Sequence, residues 1–162
     1  MQAVDTALVM RRSIFIKAAP ERIWREFESF ERMSGWFGGQ TDTVQQRVTR
    51  YDAGTGGWME IEAEWTHEPP GSCRLGGKIL TFDPPREMTV EWNTFKPDRG
   101  WHEPTLVTFR LTPALGGIVV EILQHGFERI GAGGAQHHRD AEGGWNTMEL
   151  EALRRIVEAR TA

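Results

Sequence analysis

The sequence predicts an α+β fold in which an antiparallel sheet of about six or seven strands curls over one long C-terminal helix, with two short helices after the first strand. Three observations predict it. Segments between Trp58 and His125 alternate apolar and polar residues, the period-two pattern of strands with one dry and one wet face. The breaks between them are short, which dictates antiparallel pairing, since parallel neighbours need long crossovers. At the end of the chain the period changes: Trp145, Met148, Glu149, Ala152, Leu153, Ile156 and Val157 recur at three- and four-residue steps, an amphipathic helix running into Arg160. A sheet with one dry face must be covered, and this is the long apolar helix that can cover it.

The elements follow in order. Ala7 to Ala18 reads as a strand; one parity holds Leu8, Met10, Arg12, Ile14, Ile16 and Ala18, apolar except for Arg12. Pro20 suits the first turn of a helix with Ile23, Trp24 and Phe27 on its inner face. Ser29 caps a second short helix that Gly35 ends. Gln46 to Tyr51 is a weak strand and Trp58 to Trp65 a strong one, with Met59, Ile61, Ala63 and Trp65 opposite Trp58, Glu60, Glu62 and Glu64. Arg74 to Phe82 precedes the break Asp83-Pro84-Pro85, which cannot sit inside a central strand. Met88, Val90 and Trp92 mark the next strand, and Phe95 to Pro104 reads as a loop. Leu106 to Thr112 and Ile118 to His125 form a hairpin around Gly116-Gly117. Gly131 to Gly134 reads as a flexible loop feeding the last helix, and as a gate to whatever lies beneath it.

Composition narrows the function classes. The chain has 162 residues, 39% of them apolar and 26% charged, values of an ordinary globular domain; residues 1–162 are expected to form one. Its net charge of -4 is interspersed, without the Lys/Arg clusters that nucleic acid or anionic lipid would require. No apolar run approaches the roughly 20 residues of a membrane span. Met1 to Thr6 shows neither a basic nor an apolar leader region, and Cys73 is alone, so a cytoplasmic protein is expected. Seven Trp against one Tyr is unusual, and Trp suits pocket walls as well as cores.

Ordered landmarks then carry a resemblance. They are Ala18-Ala19-Pro20-Glu21-Arg22-Ile23-Trp24, Trp36-Phe37, Gly56-Gly57, the run from Gly77 to Arg86 leading into Trp92, Gly117 to Phe127, and Gly144-Trp145. With these the chain resembles the helix-grip (START-like, SRPBCC) superfamily of lipid-transfer domains, plant pathogenesis-related allergens and polyketide cyclases. Within it the chain is similar to the group named for homology to the activator of Hsp90 ATPase. The resemblance implies a sheet gripping the C-terminal helix around an apolar cavity that binds a small hydrophobic or aromatic molecule. Such proteins often carry a His two residues before Gly-Phe at the end of the last strand; here that position is Gln124.

Parity and resemblance together nominate a ligand-binding set. Trp65, Trp92 and Phe109 face the concave side, Trp145 and Met148 face them from the helix, and Trp36 and Phe37 close one end. Any one of these rings could instead simply fill a core. Gln124 is the expected polar contact. Arg12 needs a ligand carboxylate, an internal Glu, or water at the sheet edge.

Other chemistry finds no support. The five histidines show no metal-ligand spacing, and His137 and His138 are adjacent, about 100 degrees apart on a helix. Cys73 has no basic partner, no G-x-S-x-G elbow occurs, and Glu60, Glu62 and Glu64 share the wet face. No catalytic residue, metal or cofactor is expected, and the protein is expected to be a monomer or homodimer. Two alternatives use the same fold: a cyclase or hydrolase with Gln124 or Arg12 orienting substrate, and a chaperone- or stress-associated module that works through its sheet surface.

Overall fold

The computed structural model describes residues 8–96 and 100–159. Ala19 is extended and Pro20 opens helix α1 (Pro20–Trp24), where its missing N–H costs nothing. A 3-10 turn (Arg25–Phe27) leads into α2 (Phe30–Ser34), whose Arg32 N–H donates to the Ser29 hydroxyl at 3.2 Å. The strands are β1 (Met10–Ile16), β2 (Gly38–Gln40), β3 (Val44–Tyr51), β4 (Trp58–Trp65), β5 (Gly71–Asp83), β6 (Glu87–Lys96), β7 (Gly100–Ala114) and β8 (Gly117–His125). They form one antiparallel sheet in the order β1-β8-β7-β6-β5-β4-β3-β2. A 3-10 turn (Phe127–Ile130), α3 (Gly134–Gly144) and α4 (Met148–Ala159) complete the described chain.

The α+β helix-grip architecture is as expected, with three corrections. The sheet has eight strands among the described residues rather than six or seven: β2 is a three-residue strand with two glycines, too short to show a period. The segment Phe95 to Pro104 is not a loop throughout. Strands β6 and β7 pair within it, Phe95 opposite Trp101 and Lys96 opposite Gly100. Pro104 is accommodated because the register shifts between Trp92 and Thr94, and a bulge is where a strand tolerates a missing N–H. Residues 97–99 of that stretch, like the Ala7 and Arg160 ends proposed for the first strand and last helix, lie outside the described residues.

The third correction is an additional helix, α3, ahead of the expected C-terminal helix, which is α4 and begins at Met148. The stretch after Gly133 is helical, though its sequence is polar on nearly every side; it holds side-chain pairs one turn apart, Gln136 with Asp140 at 2.9 Å and Arg139 with Gln136 at 2.7 Å. Trp145 is extended at the junction, not on the helix that carries Met148.

Register explains which side chains meet on the concave face. Met10, Gln124, Val107 and Val90 lie opposite one another in successive strands, as do Arg12, Ile122, Phe109 and Met88. Gly76 (φ +132°) lets β5 pass β4, since a β-carbon there would strike the Met59 carbonyl. Leu150, Leu153 and Val157 of α4 pack on this face beside Ile23, Trp24, Phe27, Met33 and Trp36. Trp24 stacks on Phe27 at 4.9 Å, and Phe27 meets Trp36 and Phe109 at 5.2 and 5.7 Å. Two buried donors tie this end together: Tyr51 Oη donates to the Phe27 carbonyl at 2.6 Å and Trp36 Nε1 to the Glu26 carbonyl at 3.0 Å. The aromatic end is therefore solid core. Space is left at the other end, under α3 and the start of α4.

Candidate functional site

That space is a cavity of about 560 Å³, within the range of roughly 300–1,000 Å³ typical of small-molecule sites. Its floor is set by register. Ile61, Leu75 and Thr94 are successive partners across β4, β5 and β6, and Trp92, two residues before Thr94, points the same way. Phe37, at the end of the α2 turn, and Gly39, Val44 and Gln46 from β2 and β3 form one flank. The roof comes from α3 (His137, Asp140 and Ala141), the junction (Trp145 and Asn146) and the first turn of α4 (Met148 and Glu149). Trp92, Trp145 and Phe37 form a triangle of rings, with centroid separations of 5.8, 6.2 and 6.5 Å.

A buried hydrogen-bond chain connects roof to floor. Trp145 Nε1 donates to Gln124 Oε1 at 2.8 Å, Gln124 Nε2 donates to Thr105 Oγ1 at 2.9 Å, and Thr105 Oγ1 donates to the Trp92 carbonyl at 2.9 Å. Gln124 is only 2% exposed, so its carbonyl and amide need these protein partners. On the outer side Arg12 donates to the carbonyls of Glu142 and Trp145 at 2.7 and 3.2 Å and lies 3.4 Å from the Glu142 carboxylate. It holds the C-terminal end of α3, where the helix dipole favours a cation.

The nominated residues thus separate. Phe37, Trp92, Gln124, Trp145 and Met148 are part of the cavity wall. Trp36 and Phe109 lie in the aromatic core, where they meet at 6.3 Å. Trp65 closes the end of β4, donating to the Pro69 carbonyl at 3.1 Å and stacking on His67, and it is His67 that reaches the wall. Arg12 meets the Glu142 carboxylate and three carbonyls, of Arg11, Glu142 and Trp145, not the cavity. The indole N–H groups of Trp36, Trp65 and Trp145 are used within the protein.

Three polar wall residues, Glu149, His137 and Asp140, escaped sequence reasoning. Glu149 is 6% exposed, and its Oε2 has no hydrogen-bond partner. Burial pushes its carboxyl pKa above the ordinary value, and a bond from its own backbone N–H opposes this only in part. The signal was legible as a carboxylate within the apolar stripe of the last helix, but a stripe position does not reveal that the space opposite is a cavity. His137 and Asp140 went unplaced because the α3 sequence has no apolar face to orient it. Among the described residues no three His, Cys, Asp or Glu side chains are placed to hold a metal ion, and no helix is long and apolar enough to cross a membrane.

Comparison with known proteins agrees with this fold. A family model described as activator of Hsp90 ATPase homolog 1-like protein matches residues 17–158. No curated protein matches the sequence. The crystal structure of the protein CV1439 from Chromobacterium violaceum is 22% identical with a TM-score of 0.67, covering 93% of this chain and 97% of that one. That of the AHSA1 protein of Silicibacter pomeroyi is 15% identical with a TM-score of 0.66, covering 94% and 99%. A Mesorhizobium loti protein is 19% identical with a TM-score of 0.62, covering 95% and 98%. At these identities the likeness is one of fold.

Proposed function

The chain belongs to the activator of Hsp90 ATPase homolog 1-like family, and on that premise we propose that it binds a small, largely apolar or aromatic molecule in the cavity beneath α3 and α4. The observation that carries this reading is the wall itself: about 560 Å³ bounded by Phe37, Ile61, Leu75, Trp92 and Trp145 in a fold that commonly serves as a ligand scaffold. Burying a ligand against these rings removes apolar surface from water at about 25 cal/mol per Å² before the costs of association. Gln124 acts as a positioning residue, since it fixes the Trp145 ring that closes the roof. The α3–α4 junction, held by Arg12, is the lid.

The test is a panel of lipids, flavonoids and polyketides assayed by tryptophan fluorescence and thermal shift. Cognate ligands are expected to change the emission of Trp92 and Trp145 and to raise Tm by mass action. Native mass spectrometry of freshly purified protein reads any retained molecule directly. A panel without quenching, without thermal shift and without a retained mass refutes the binding function.

A further inference from the structure

The cavity wall carries a carboxyl group that the proposed binding of an apolar molecule does not explain. Glu149 is buried with Oε2 unpartnered, although more than nine in ten buried polar groups in folded proteins find a partner. Asp140 adds a second carboxylate to the wall, and among the described residues the wall has no cationic side chain apart from the imidazoles of His67 and His137. The N-terminus of α4 contributes only about half a positive charge against these two carboxylates. The π-faces of Phe37, Trp92 and Trp145 add negative potential of their own, which attracts cations within about 6 Å of a ring.

We propose that the cavity selects ligands bearing a protonated amine, with the Glu149 carboxylate as counter-ion and the Phe37–Trp92–Trp145 rings enclosing the apolar body. This rests on the cavity being a ligand site and names the chemistry that it takes. An ammonium supplies what Oε2 lacks, a donor and an opposite charge. The protein already bears the cost of burying Glu149, so the amine recovers part of that cost on binding, whereas an alcohol recovers less. A carboxylate ligand would meet two like charges.

The test is isothermal titration calorimetry at neutral pH with primary amines from tryptamine to dodecylamine, each compared with its own alcohol and carboxylate. The amines are expected to bind at least about tenfold more tightly than their alcohols, a difference of about 1.4 kcal/mol. Carboxylates are expected to be weakest. In Glu149→Gln and Glu149→Met the amine advantage is expected to vanish while alcohol affinity stays within about threefold. Asp140→Asn is expected to retain most of the advantage, because Asp140 already accepts a hydrogen bond from Gln136. Alcohols or carboxylates that match the amines in the unsubstituted protein overturn the amine assignment and leave the cavity function standing. Retention of the amine advantage in both Glu149 variants also overturns it. If no member of any series binds and the lipid and polyketide panel is silent too, both readings fall together.

Discussion

Replacing Glu149 by Met should stabilise the ligand-free protein at neutral pH, because the wild-type carboxyl is buried with one oxygen unpartnered. Methionine has nearly the same length and adaptable packing, so it fills the same space without a polar atom. An unsatisfied buried polar group costs about 1–3 kcal/mol, against which a carboxylate in the first turn of a helix gains roughly 0.3–1 kcal/mol. The expected net gain is about 1–2 kcal/mol, and each kcal/mol moves Tm by roughly 2–4 °C in a domain of this size. The pH dependence follows from the direction of the shift. Burial raises the folded-state pKa of Glu149 above its ordinary value of 4.5. Its contribution is therefore fully present below that value, where it is protonated in both states, and is lost as pH rises through the folded-state pKa. The advantage of Glu149→Met should then be small near pH ~4 and grow towards neutrality. Thermal and urea unfolding followed by far-ultraviolet circular dichroism across that range measures it. A variant less stable than wild type at neutral pH, or a gap that does not change with pH, would refute the reasoning.

Three further outcomes are expected. Gln124→Leu leaves Trp145 Nε1 without its acceptor and Thr105 Oγ1 without one of its two bonds, which should cost about 1–3 kcal/mol in urea unfolding and alter tryptophan emission as the roof loosens. Tyr51→Phe removes the bond to the buried Phe27 carbonyl and should cost about 0.5–1.5 kcal/mol without changing ligand affinity, since Tyr51 lies in the core. His125 sits on the outer face with Nε2 2.9 Å from the Thr108 hydroxyl, and burial holds its pKa below 6.5. Its stabilising contribution is therefore present above pH 6.5 and lost as pH falls below it, a slope that His125→Gln should flatten in melts run from neutral to mildly acidic pH.

Much of the fold was legible in local pattern. The alternation through β4, β6 and β8 reports which side of each strand is dry, and Ser29, Pro20 and Gly35 bound their short helices by local backbone chemistry alone. Patterns of this kind are written within a few residues, so they survive without knowledge of the partner element. The same logic explains what was missed. Strand β2 has no period because it is three residues long, and α3 has no apolar stripe because it roofs a cavity instead of packing on a core. The pairing of Phe95 with Trp101 depends on a bulge that absorbs Pro104, a property of two strands and not of either one.

The amino-acid sequence by itself determined the sheet-on-helix class, the concave parity and the family, because periodicity and ordered glycine, proline and tryptophan landmarks are properties of one chain read in order. Only the tertiary structure decided which aromatics surround space and which fill it. Phe109 faces the same way as Trp92, yet Phe27, Trp36 and Phe37 pack over it while α3 and α4 stand off from Trp92. It also turned Gln124 into a brace, Arg12 into a clamp on α3, and Glu149 from one polar letter in an apolar stripe into a cavity-wall residue with an unpartnered carboxyl oxygen. The physical reason is common to all three: a polar side chain takes its role from the partners it finds or lacks once buried, and those partners lie on other elements.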